Sequence, residues 1–179
     1  MLIVVLLLLG RPAYADFEAG HSAAFNYSAK NSRNRTIPAD IALQKKAVKT
    51  VLEKYHSPLV GEVDSFINAC IKYDLDCSLL PSIAGTESTF GQAIYPNSFN
   101  PFGWGRGLTM FRSWSEAIDA VGKGLREDYI DQGAETVEQI GAIYCEGNTW
   151  SGKTRYFMRQ IQAEVEKNKL LLEKNSVSL

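Results

Sequence analysis

A chain of 179 residues, 45 % of them hydrophobic, can bury one core and suits a single domain with extensions. Its 19 Lys and Arg against 20 Asp and Glu leave a net charge of −1, and no segment is strongly basic. That balance excludes a function built on nucleic-acid electrostatics.

In chain order, the first segment is an apolar run over residues 2–9, followed by Ala13-Tyr14-Ala15. The run is too short to span a bilayer, and the A-x-A pattern is that of a cleavage site. Residues 1–15 therefore read as an export signal cut after Ala15, although no Lys or Arg precedes the run. The alternative is a buried or interfacial segment, or an uncleaved anchor, which would be the chain's sole contact with a membrane. Residues 16–36 are polar and aperiodic and read as a linker. An N-terminal helix is expected over 37–56, with Ile41, Val48, Val51, Leu52 and Tyr55 on one face and lysines outside. "HSPLVG" then breaks the pattern.

A mainly α domain is expected over 57–168. Val63, Phe66, Ile67, Cys70 and Ile71 share one helical face, and Leu79, Leu80, Ile83 and Ala84 share another. Between 95 and 112 the helical period vanishes. Pro, Gly, Asn and aromatics there predict a loop and a small β-hairpin, residues 99–104 and 108–112 around a Gly-Arg-Gly turn. Ser113 and Glu116 have capping-box spacing. The helix they open carries Ala117, Ile118, Val121, Leu125 and Tyr129 inward, and Gly133 closes it. Thr136 and Gln139 form a second box, for a short helix through Tyr144. Trp150, Phe157, Ile161, Val165 and Leu172 mark a final long helix, with 169–179 its end and tail.

Cys70 and Cys77 flank the turn between two predicted helices, so a disulfide there is one reading; small buried hydrophobes is the other. Cys145 would be an odd thiol. His21 and His56 are isolated, no metal-ligand spacing occurs, and no cofactor is expected.

The segment "SIAGTESTFG" carries the chemistry. Glu87 lies three, four and seven residues after Ala84, Ile83 and Leu80, in phase with the apolar stripe. It falls in a last helical turn, with Gly91 as the natural stop. Burial and the negative end of the helix both disfavour an anion, which would keep the carboxyl protonated as a general acid requires. The alternative is a side chain curled into water. Downstream stand Tyr95, Asn97, Phe99, Asn100, Phe102 and Trp104, aromatic faces beside amides, as carbohydrate binding needs. Phe99 and Phe102 fit a hairpin core better, whereas Trp104, between glycines, reads as an exposed platform.

These residues resemble the lysozyme-like superfamily, in particular the bacterial glucosaminidase (endo-β-N-acetylglucosaminidase) family, with lytic transglycosylases as near relatives. The likeness rests on Glu87-Ser88-Thr89-Phe90-Gly91, Asn100-Pro101-Phe102-Gly103 and "IGAIYCEGNTW", and covers roughly residues 57–161. It implies a lysozyme-like α domain with a β-hairpin insertion, secreted or held in the cell envelope. The implied activity is hydrolysis of the N-acetylglucosamine/N-acetylmuramic acid backbone of peptidoglycan by a monomer. Glu87 would be the general acid and Tyr144 would orient the reacting sugar; on period alone, Tyr144 is equally a core tyrosine. Ser88, Asn97, Asn100, Phe102, Trp104 and Trp150 would line the glycan site, with Ser88 bonded to the carboxyl or capping the helix end. One departure stands out: "GWGRGLTMFRSW" holds no second carboxylate. Glu116, Asp119 and Glu146 are the nearest others, and each has a simpler explanation. A single-acid scheme follows, with hydrolysis, closure of a 1,6-anhydro ring, or a non-catalytic glycan-binding protein as the readings left open.

Overall fold

A computed structural model describes residues 38–144 and 149–177. The expected signal and linker, together with Cys145 and Glu146, lie outside the described residues. The chain is mainly helical: α1 (Pro38–Lys54), α2 (Val63–Lys72), α3 (Leu79–Ser88), α4 (Trp114–Gly124), α5 (Val137–Tyr144) and α6 (Trp150–Val177). A 3-10 turn (Pro58–Glu62) follows α1, and a π-helical turn (Leu125–Ile130) continues α4.

One apolar core joins these elements. α6 is the central strut, packed on α1, α3 and α5, while α2 lies against α1 and α4. Ala47, Val48, Val51 and Leu52 of α1 are buried in the same core as Phe66, Leu79, Ile83, Ile118, Ile140 and Ile161. The first helix is thus integral to the body that begins at residue 57. Each such large side chain contributes roughly 1.5–3 kcal/mol on burial. Tyr55, Phe90 and Phe157 close the α1/α3/α6 junction, with ring centroids 4.8 and 4.9 Å apart about Phe90. Two expected inner residues face outward: Ile71 is exposed, and so is Leu172, beside Leu170 and Leu171 on the last turns of α6.

Both helix starts are capped, the second as a reciprocal capping box. The Ser113 hydroxyl accepts from the Glu116 amide at 3.1 Å, and Glu116 reaches back to the Arg112 amide at 2.6 Å. The Thr136 hydroxyl accepts from the Gln139 amide at 3.1 Å, and Gln139 accepts from the Thr136 amide at 2.9 Å. Cys70 and Cys77 are joined as a disulfide across the α2–α3 corner. Arg126, from the π turn, donates to the Tyr73 carbonyl at 2.6 Å and to that of Asp74, fixing the same corner from outside.

The β-hairpin expected over 99–112 is not formed, and no strand occurs among the described residues. Positive φ values at Phe99, Gly103, Gly105, Arg106 and Gly107 curl the segment too tightly for a ladder. The backbone groups find other partners. Phe111 donates to the Ser98 carbonyl at 2.8 Å, but the carbonyls of Trp104 and Thr109 accept from the side chain of Asn100, at 2.8 and 3.1 Å. A buried amide does the work of a neighbouring strand.

Candidate active site

α3 ends at Ser88, and Thr89, Phe90 and Gly91 all adopt left-handed conformations, φ 51, 58 and 85°. The amides of Thr89 and Phe90 both turn back to the Ala84 carbonyl. Two non-glycine residues in that region are costly. The turn is held because the Phe90 ring is fully buried and its carbonyl accepts from Ser57 Oγ at 2.7 Å. This sharp end sets Glu87, half-buried, at the lip of a groove.

Two lobes of the groove meet at Glu87. One, of about 370 Å³, is lined by Ser88, Ala93, Ile94, Tyr95 and Asn100; the other, of about 240 Å³, by Trp104, Gly105, Tyr129 and Tyr144. Glu87, Gly103 and Arg106 line both. A larger hollow of about 510 Å³ between α3 and α6, lined by Gly85, Thr86, Lys153, Tyr156 and Phe157 among others, contains no carboxylate. Its size does not make it the reactive site.

The two oxygens of Glu87 have different surroundings. Oε1 accepts from Trp150 Nε1 at 2.6 Å. Oε2 lies over Gly103, where a β-carbon would come within 3.2 Å of it. An indole N–H can only donate, so Oε1 is fixed as an acceptor and the acid proton belongs on Oε2, toward the groove. Burial pushes the Glu87 carboxyl above the ordinary glutamate range; the Trp150 hydrogen bond and the charge of Lys153 pull in the opposite direction without cancelling it. The upward shift agrees with the reading of the sequence. Lys153 does not appear in that reading, because it reaches Glu87 from α6.

A stack of rings backs the carboxyl. Trp150 is 4 % exposed and lies on Tyr144, centroids 5.0 Å apart with an interplanar angle of 29°. Trp104 and Tyr129 continue the cluster, each about 6.1 Å from Tyr144. Glycines leave room for the indoles: a β-carbon at Gly141 would sit 2.8 Å from Trp150, and one at Gly124 2.8 Å from Trp104. The Tyr144 hydroxyl donates to the Phe102 carbonyl at 2.5 Å, which fixes the phenol in the wall of the smaller lobe.

The remaining expected residues divide between groove and scaffold. Trp104 is half-buried in the wall of the smaller lobe, not a projecting platform. Phe102 is fully buried, and a ring in the core has no face for a sugar. Trp150 lines neither lobe and serves the carboxyl. Asn100 is 3 % exposed with both ends of its amide engaged, since Oδ1 accepts from the Trp104 amide at 3.0 Å; it shapes the loop. Ser88 does not bond the carboxyl: it donates to the Pro101 carbonyl at 2.7 Å and accepts from the Gly91 amide at 2.8 Å, tying helix end to loop. Asn97 is exposed and lines neither lobe.

Glu116 and Asp119, the second carboxylates weighed, are occupied elsewhere. Glu116 pairs with Arg112 at 2.8 Å and Asp119 with Lys72 at 2.7 Å, and both partners hold the carboxyls below their ordinary range. Tyr129 and Arg106 line the groove, although Tyr129 reads in the sequence as helix core and Arg106 as a turn residue. For Arg106 a signal existed: a large cation between two glycines, where a turn has no use for one.

No protein-family model matches the chain, and no curated protein sequence matches it.

Proposed function

We propose that the chain is a glycoside hydrolase with a lysozyme-like arrangement, an acid-bearing helix end facing an irregular loop across a sugar groove. Its substrate in this reading is the N-acetylglucosamine/N-acetylmuramic acid backbone of peptidoglycan. Export by residues 1–15 and action in the cell envelope as a monomer belong to the same proposal. The observation that carries it is Glu87: a carboxyl raised in pKa, clamped at Oε1 and open at Oε2, where two lobes meet.

In this reading a glycosidic oxygen lies at Oε2 with one sugar in each lobe. Proton transfer from Oε2 accompanies bond cleavage through an oxocarbenium-like state, and the aromatic wall shields the reacting ring. Among the described residues, Glu87 is the only carboxylate lining either lobe. In this reading a flanking nucleophile or base is taken from the substrate. Its acetamide oxygen can attack the anomeric carbon, with water completing hydrolysis. The same absence favours a second reading, in which the sugar's own O6 closes a 1,6-anhydro ring.

Mass spectrometry of fragments released from purified peptidoglycan tests both. Reducing-end sugars support hydrolysis, anhydro ends support the transglycosylase, and no release by the unmutated chain leaves only a glycan-binding protein. Glu87→Gln is expected to lower activity by about 10²–10⁴-fold, the ordinary contribution of a general acid, while glycan binding persists.

A further inference from the structure

The groove holds a cation that acid catalysis does not use. Arg106 lines both lobes beside Glu87. Arg112, Arg126 and Arg155 are each ion-paired, whereas Arg106, like Arg159 on α6, has no ion-pair or hydrogen-bond partner among the described residues; of these two, Arg106 alone lines the lobes. Its backbone is left-handed, φ 58°, between Gly105 at 62° and Gly107 at 79°. Glycine would sit at that position without strain, so the side chain is kept where the backbone argues against one. The cation that acts on Glu87 is Lys153, from α6. Arg106, exposed at the rim of both lobes, is left for whatever enters the groove.

We propose that Arg106 selects glycans in which a sugar at the cleavage point carries a free carboxylate. A guanidinium offers a planar fork of donors that matches a carboxylate in two bonds. Because both lobes share Arg106, it stands beside the acidic sugar whichever lobe receives it. The inference rests on the glycan reading above and narrows it. In that polymer the muramic acid alone bears a carboxyl, on its lactyl ether. Where a stem peptide is attached, that carboxyl is an amide and the free carboxylates lie farther out, on the peptide. An arginine at the scissile bond therefore favours strands from which the peptides have been removed.

The test measures binding to the full chain carrying Glu87→Gln, so that ligand is not consumed. Three probes of equal length are compared: peptide-free N-acetylglucosamine–N-acetylmuramic acid oligosaccharide, the same oligosaccharide with its stem peptides, and a neutral N-acetylglucosamine oligomer. The peptide-free acidic probe is expected to bind about tenfold more tightly than the neutral one, the scale of one charge-assisted contact, with an advantage that shrinks as salt rises. Adding Arg106→Gly, which also relieves the backbone, or Arg106→Gln should erase that advantage; Arg106→Lys should keep part of it. Preference for the peptide-bearing probe over the peptide-free one overturns the proposal, whether or not Arg106→Gly removes it. Equal binding of acidic and neutral probes, an advantage that survives Arg106→Gly, or binding to none of the three overturns the proposal. Absence of cleavage by the unmutated chain bears on the proposed function alone, because the binding comparison does not require turnover.

Discussion

Glu87, Tyr144 and Trp150 stand on α3, α5 and α6, whose inner faces are buried in the common core, so one wall of the groove is positioned by apolar packing. The opposite wall, residues 95–112, puts Phe102 into the core and Trp104 and Phe111 against it, but has no helix or strand of its own. It is held by polar side chains turned onto backbone: Asn100 onto Trp104 and Thr109, and Ser88 onto Pro101. The contrast teaches that a precise site can be built by two unlike mechanisms, provided they meet at a tight contact. Here they meet where Gly103 passes over Glu87 Oε2.

The largest effect is expected where the polar wall has a single keystone. Asn100→Ala removes three hydrogen bonds, stranding the Thr109 carbonyl and the Trp104 amide and leaving the Trp104 carbonyl only the long bond from the Thr109 amide at 3.4 Å; at about 1 kcal/mol for each bond lost it should lower stability by about 3 kcal/mol, read as the denaturant midpoint. An unchanged midpoint would mean that the loop is not held as described. Next comes the seam. Gly103→Ala adds a β-carbon 3.2 Å from Oε2 on a backbone at φ 63°, so it should displace the acid and lower kcat by about 10²-fold while unfolding is little altered in cooperativity. A fully active Gly103→Ala would break the idea that the walls meet there.

On the packed side, Trp150→Phe keeps an aromatic ring, though a smaller one, and deletes the donor. A roughly tenfold fall in kcat with little change in KM is expected from loss of one hydrogen bond to a charged group. Since that bond favours the ionised carboxyl, its loss raises the pKa further, and the basic limb of the pH–rate profile should move to higher pH. Lys153→Gln should move the limb the same way with a smaller loss of rate, because it changes charge without releasing Oε1. The pKa shift also has a stability consequence. A carboxyl whose folded pKa is raised costs nothing below the unfolded value, and its folded state loses stability as pH rises through the folded value. Glu87→Gln should flatten that part of the stability profile. The smallest effect is a cap: Thr136→Ala should cost about 1 kcal/mol, measurable as a lowered midpoint with the active-site pKa unmoved.

The two walls also differ in how far they were legible in the sequence. Periodicity placed α1 through α6, and spacing placed both helix caps, because apolar stripes and caps are local signals. Glu87 was found by its phase with Ile83 and Ala84 and by the helix stop after it. The loop reads as a hairpin in the sequence because glycines and aromatics in alternation mimic strands, whereas a buried amide bonding carbonyls 4 and 9 residues away has no periodic signature. For the same reason Asn100 and Ser88 read as sugar ligands: an amide or hydroxyl beside aromatics looks alike whether it faces solvent or backbone. The clamp from Trp150 to Glu87 joins residues 63 positions apart and could not be inferred from either one.

The π-helical turn at Leu125–Ile130 works as a phase shifter. A turn that holds an extra residue offsets everything after it by one step, and Tyr129, which lines the smaller lobe, lies within it. Shortening the turn by one residue would restore ordinary pitch and swing the phenol roughly 100° around the helix axis, leaving Trp104 bare on that flank. The breadth of the smaller lobe is thus encoded in the length of one turn, and a lineage could retune it by a single-codon deletion without touching the residues that line the groove.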